Sequence, residues 1–133
     1  NTIISGSLIV SGSVHEFNGN VVTNDTLQVT NTDSNISAAG TFTPSGGNIA
    51  ALLLDGTLAV TLANGTSGGI LYIYCSAEIA PGTTTITPTN AQGFTSLAFN
   101  AIGDTATLMW MGSDWYLLSS HNHGNQSNLH ITL

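Results

Sequence analysis

The sequence contains no lysine and no arginine. Its 133 residues include seven acidic side chains and four histidines, which gives a formal net charge of −7 with histidine neutral. Basic side chains provide the phosphate contacts and counterion release on which binding to DNA and RNA depends, and they also attract proteins to anionic membranes. We therefore expect a protein that binds neither nucleic acid nor a charged membrane surface.

Two explanations for this missing class of residue stay open. Without lysine or arginine, the chain offers no cleavage site to trypsin-like proteases, which suits a protein exposed outside cells. An acidic, lysine-poor composition is also typical of proteins from marine or halophilic sources.

Cysteine is nearly absent as well, since Cys75 is the single one. It lies in an apolar run at 70–75, so we expect a buried thiol and a fold held together by packing alone. No stretch approaches the roughly 18 consecutive apolar residues that a transmembrane helix needs, and we expect no membrane insertion. Residues 1–4 lack the basic start of an intact signal peptide. Because the sequence does not begin with Met, we expect a processed product or a fragment.

Patterns typical of helices are scarce, whereas strand and turn residues are frequent, so the sequence predicts an all-β fold. In residues 1–40, short apolar bursts are separated by Gly6, Gly12 and Gly19. The strands implied there are about four residues long, which is too short to be stable alone. We expect this segment to form a stem, or an arm that reaches a neighbouring protein.

Longer strands are predicted after residue 48. Residues 41–48 are expected to be a linker, 49–120 a small antiparallel β-sandwich or barrel, and 121–133 a polar C-terminal tail. Leu58, Val60 and Leu62 alternate with small residues, as on a half-buried strand. Residues 70–77 are apolar at successive positions, which favours a central strand buried on both faces.

The segments 105–111 and 115–119 flank Gly112, and this arrangement predicts a β-hairpin. The hairpin brings together Trp110, Trp115 and Tyr116. We expect these aromatic side chains to form a packed core or a trimer interface, with an exposed platform for a ligand as the alternative.

Several segments resemble the small β domains of surface proteins of tailed bacteriophages, namely tail fibres and head decorations. The C-terminal half resembles them in the strand at 70–75, the threonine-rich 86–88, Gly-Asp-Thr-Ala-Thr-Leu at 103–108 and Gly-Ser-Asp-Trp-Tyr-Leu-Leu-Ser at 112–119. Gly-Ser-Leu-Ile-Val-Ser-Gly-Ser at 6–13 is similar to fibre stems. The resemblance implies a homotrimer on the virion surface that contacts other virion proteins of the capsid or tail. No particle-attachment domain is recognisable, so fibre and decoration stay open.

His121 and His123 are candidate metal ligands. Residues two apart on a strand point to the same side, so both imidazoles can face one axis. Three chains around that axis would supply six nitrogens, a set that suits iron or nickel better than tetrahedral zinc. Iron-binding His-x-His pairs also occur at the tips of the fibres that the chain resembles. An exposed polar tail is the alternative.

No catalytic motif is recognisable, and the seven acidic residues are scattered, so we expect no enzymatic activity. The first functional hypothesis is a structural protein of the virion surface. The second is an extracellular carbohydrate-binding or adhesive module that uses exposed aromatic side chains, with host-surface glycan as its partner.

Overall fold

The computed structural model describes residues 35–44 and 48–122, the backbone of 130–132, and five short stretches, 5–6, 9–12, 16, 18–20 and 22–24. This part of the chain contains ten β-strands and no helix, so the predicted all-β class is confirmed. The strands are β1 (Gly40–Phe42), β2 (Ile49–Asp55), β3 (Leu58–Leu62), β4 (Ile70–Ala80), β5 (Thr84–Pro88), β6 (Ala91–Gln92), β7 (Ser96–Phe99), β8 (Thr105–Trp110), β9 (Trp115–His121) and β10 (His130–Thr132).

The strands form two five-stranded sheets. The first sheet has the order β1-β3-β5-β7-β10, and the second has the order β2-β4-β8-β9-β6. From β1 to β8 the chain alternates between the two sheets, so each strand is followed by one in the other sheet. Neighbours β1, β3 and β5 run parallel, as do β2 and β4. The result is a solenoid-like winding with one strand in each sheet per coil.

This arrangement corrects the predicted antiparallel domain, because both sheets are mixed. Antiparallel pairing is found where β7, β8, β9 and β10 join the sheets. Alternating apolar residues identify a strand but carry no information on the direction of its partner. Parallel neighbours need a long crossover connection, and here that crossover passes through the other sheet.

The coils become shorter toward the N-terminal end. In the first sheet, Val60 pairs with Ile86 on one side and with Gly40 on the other, and Gly40 is the nearer of the two in sequence. In the second sheet, an isolated parallel bridge joins Ile36 to Leu52, which are closer still in sequence. The winding therefore tapers toward the segment that precedes β1.

The predicted hairpin is confirmed. Strands β8 and β9 are antiparallel, with Trp110 paired to Trp115 across the loop. The Met111 amide donates a hydrogen bond to the Asp114 carbonyl (3.0 Å), which closes that loop. The register shifts after Thr107, so β9 carries one extra residue at this β-bulge.

Among the described residues, one cluster of buried side chains lies at the centre and draws on both sheets. Every second residue of a strand points inward, and these inward residues form the cluster. Each fully buried Leu, Ile or Phe side chain contributes about 1.5–3 kcal/mol relative to exposure. The least exposed members are Ala50, Leu52, Leu54, Leu62, Leu97, Phe99 and Leu108, each with 0 % relative exposure.

A buried carboxylate fixes the turn before β8. Asp104 is 0 % exposed. Its Oδ2 accepts hydrogen bonds from the amides of Asn100 (2.8 Å) and Ala101 (3.0 Å), and its carbonyl accepts one from the Cys75 amide (2.8 Å). Asp104 therefore joins the turn to β4.

The predicted segments relate to these strands as follows. Most of the expected stem or arm, 1–40, lies outside the described residues. The expected linker, 41–48, contains the end of β1, which pairs with β3. In the expected tail, 121–133, the backbone of β10 pairs with β7.

Candidate functional site

The outer face of the second sheet carries exposed tyrosines. On β4, Leu71 and Ile73 point into the core with 1 % exposure each, so Tyr72 and Tyr74 between them point outward. The two tyrosine side chains are 44 % and 40 % exposed. The central position predicted for residues 70–77 is correct, because β4 lies between β2 and β8. Its two faces differ, however, and only one of them is buried.

The third tyrosine lies on the same side of the sheet. On β9, Trp115 points into the core with 2 % exposure, and Tyr116 points outward with 39 % exposure. The register places Tyr116 beside Met109 of β8, and Met109 beside Ile70 of β4. The chain has only three tyrosines, so all of them lie on this face.

Cross-strand pairing sets the outward residues of β4, β8 and β9 in three rows. We call this surface the tyrosine face. Its rows are Ile70–Met109–Tyr116, Tyr72–Thr107–Ser119 and Tyr74–Thr105–His121.

The three rows of the tyrosine face contain no carboxylate. Among the acidic residues of β2 and β4, Asp55 is the last residue of β2 and Glu78 lies near the end of β4, beyond the three rows. Tyrosine rings provide broad apolar area together with a hydroxyl group, and such side chains are enriched in protein interfaces. The face is therefore suited to another uncharged surface, either of a protein or of a sugar.

The two tryptophans lie beneath this surface, in the core. Trp110 is 5 % exposed, and its ring packs edge-on against Trp115 with a centroid distance of 5.5 Å. The indole Nε1 of Trp115 donates a hydrogen bond to the Ala63 carbonyl (2.9 Å). Of the three aromatic residues predicted to form a ligand or interface surface, only Tyr116 is exposed in the single chain.

A cavity of about 340 Å³ adjoins Trp115. The Oδ1 atom of Asn48, which lines this cavity, is buried without a hydrogen-bond partner among the described residues. Gly65 packs directly on the tryptophans, since a Cβ atom there would lie 2.8 Å from the Trp115 ring. The cavity is lined by Pro44, Asn48, Gly65, Thr66, Gly69, Ile70, Leu71 and Trp115.

The predicted metal ligands are placed only in part. His121 is the last residue of β9 and pairs with Thr105 at the margin of the tyrosine face. His123 lies outside the described residues. Within the described part of the chain, no three His, Cys, Asp or Glu side chains are grouped as a metal site.

Tyr72 and Tyr74 were not identified as site residues from the sequence. The run at 70–75 is apolar throughout, and the sequence favoured a strand buried on both sides. A signal was present, because Leu71, Ile73 and Cys75 share one side of a strand and the tyrosines share the other. The larger, hydroxyl-bearing set is the one that the fold exposes.

No protein family and no curated protein sequence matches the chain. Over the described ranges, the structure contains no helix long and apolar enough to cross a membrane.

Proposed function

We propose that this chain is a structural protein of the outer surface of a virus particle and works as a homotrimer. It serves as a segment of a bacteriophage tail fibre or as a decoration protein of the capsid. The observation that carries the proposal is the solenoid-like winding that tapers toward the N-terminal segment.

A winding of this kind suits a structural role because solenoids are built along one axis. Each coil contacts mainly its neighbours, so length is gained by stacking rather than by enlarging one core. Stacking is close at the corners of the coils: the Gly56 amide donates to the Ala80 carbonyl (2.9 Å), and the Leu58 amide donates to the Thr83 carbonyl (3.1 Å). We propose that the two sheets pack face to face as a small sandwich, since the core cluster draws on both.

The charge of the chain supports an exposed location. A net charge of −7 without any basic side chain opposes adsorption to nucleic acid and to anionic headgroups. Such a protein can lie on the surface of a DNA-containing particle without binding to DNA. The proposal includes no enzymatic activity and no required cofactor.

The mass in solution tests the proposal. The full chain, with its sequence mass of 13.6 kDa, is measured by analytical ultracentrifugation at micromolar concentration and by SDS gels without heating. We expect three times the chain mass in solution. A monomer over the whole concentration range would contradict the homotrimer.

A carbohydrate-binding or adhesive module is the second candidate, and the three exposed tyrosines favour it. Aromatic faces pack against the apolar faces of sugar rings, and the tyrosine hydroxyls can bond to sugar hydroxyls. Screening the purified protein against immobilised glycans tests this role, with Tyr116→Ala as the variant. Binding by a monomer that is lost in this variant would favour the adhesive module over the virion protein.

A further inference from the structure

We propose that the tyrosine face is the surface through which copies of this chain meet, with three such faces packed around a common axis. This inference rests on the proposed homotrimer and names the surface that holds it together. Its occupant is a second copy of this chain.

The first argument is that the face is continuous across its strands and, among the described residues, exposed. It spans the three neighbouring strands β4, β8 and β9, and its tyrosines are 39–44 % exposed. Strand β2 adjoins it, because Ile49 pairs with Tyr72 and Ala51 pairs with Tyr74. Exposed tyrosines grouped on one face in this way are typical of interaction sites rather than of ordinary solvated surface.

The second argument is that the tyrosine face contains no carboxylate that would be buried when two copies meet. A carboxylate buried between identical chains needs either several hydrogen bonds, as Asp104 has from backbone amides, or a cationic partner, and this sequence has no lysine or arginine to provide one. A carboxylate-free surface avoids this cost when copies meet. The three rows of the tyrosine face form such a surface.

The third argument is that an acidic residue borders the face at one end. Asp55 is exposed and is the last residue of β2, the strand beside β4. Copies that slide past one another would bring this carboxylate toward the partner's rows. Like charge and lost hydration would oppose that shift, so the border favours a single register.

The chemistry of the face also favours a protein partner. Tyrosine and methionine are enriched at the centres of protein interfaces, whereas aspartate and glutamate are depleted there. Rigid aromatic side chains bury much area and lose little conformational freedom. β-Sheets pack face to face at a distance of about 10 Å through side chains that interdigitate.

The first test places one carboxylate on the face. Tyr74→Glu is compared with Ile102→Glu, which adds the same charge at an apolar residue of similar exposure, 52 %, in the turn before β8. Sedimentation is measured over a concentration series, and far-UV circular dichroism confirms the fold. We expect Tyr74→Glu to raise the dissociation constant of the trimer at least 100-fold, and Ile102→Glu to leave it within about threefold.

The second test needs no variant. Because all three tyrosines lie on this face, nitration with tetranitromethane reports on it directly. Chymotrypsin is used to map the products, since trypsin has no site in the chain. We expect protection of the tyrosines in the assembled protein and modification after dilution below the dissociation constant. This result decides the matter even if Tyr74→Glu fails to fold.

The outcomes separate the two claims. A wild-type trimer whose tyrosines nitrate freely, or which survives Tyr74→Glu, overturns the assignment of the face and leaves the homotrimer standing. A wild-type monomer overturns both. A monomer whose tyrosines become protected only when glycan is added assigns the face to sugar instead.

Discussion

Gly82, at the corner between β4 and β5, lies directly against Gly56, at the corner between β2 and β3. A Cβ atom on Gly82 would be 2.7 Å from the Gly56 Cα and closer still to its carbonyl group. Both contacts are with backbone, which cannot rotate away as a side chain can. The two corners can stack this closely because Gly82 has no side chain, whereas a Cβ atom on Gly56 would meet nothing within 4 Å.

The substitution Gly82→Ala is therefore expected to separate the two coils. Loss of the close packing and of the hydrogen bonds beside it should lower the free energy of unfolding by about 3 kcal/mol or more. Urea denaturation at fixed protein concentration measures the loss. Gly93→Ala is the control. A Cβ atom at Gly93 would meet nothing within 4 Å, so the expected cost comes only from placing alanine at a positive φ of 86°, which is about 1–2 kcal/mol. Equal losses in the two variants would show that the corners do not stack as described.

For Trp115 and Tyr116, the sequence predicts that the two side chains point to opposite faces of the strand, but not which of them is buried. Neighbours on a strand point to opposite faces, so one of the two had to be buried. The sequence grouped both with Trp110 as one aromatic surface. Which of the pair is inside depends on the side of β9 that meets the core, and the strands that contribute to this core are distant in sequence.

At the scale of elements, the local features were predictable and the long-range ones were not. The hairpin of β8 and β9 was predicted because its two strands and their glycine-containing loop are adjacent in the chain. The parallel pairing of β2 with β4 was missed, since the whole of β3 and the loops on either side of it separate the partners. A short window of sequence contains no information on which distant strand will be the partner.

The C-terminal end of β9 carries His121, one of the two predicted metal ligands. His121 lies at the margin of the tyrosine face, so three copies packed through that face would bring three such imidazoles toward one axis. With His123 from each chain, six nitrogens would form an octahedral set for iron or nickel. We expect about one metal ion per three chains in protein purified without a metal-affinity step, measured by inductively coupled plasma mass spectrometry.

The paired variant His121→Ala, His123→Ala should lose that metal, and His15→Ala is the matched control. A wild-type trimer without bound iron or nickel would refute the metal site and leave the tyrosine face unaffected. Metal retained in the paired variant would place the ligands elsewhere.

At the scale of the whole molecule, the single thiol reports on the integrity of the core. Cys75 is 2 % exposed, and its Sγ is 3.8 Å from the Ala77 carbonyl oxygen. Burial raises the pKa of this thiol above its ordinary value of 9.0, and the negative charge of Asp104 raises it further. In the folded protein the thiol therefore stays protonated at a pH at which the unfolded chain has begun to lose this proton.

Stability should respond to alkaline pH in a definite direction. The contribution of the neutral thiol is fully present below pH 9.0, the ordinary pKa of the group. It is lost as the pH rises toward the higher pKa of the folded state, because the unfolded state then binds fewer protons. The free energy of unfolding should fall by up to about 1.4 kcal/mol per pH unit in that range.

Cys75→Ala isolates this effect, because the other titrating groups remain in both proteins. Urea denaturation of the two proteins between pH 7 and pH 10, at one protein concentration, should give parallel curves below pH 9. Above pH 9 the wild type should lose stability faster than the variant. Parallel curves over the whole range would mean that water reaches the thiol in the folded protein, and that the core between the two sheets is more open than the packing around Cys75 indicates.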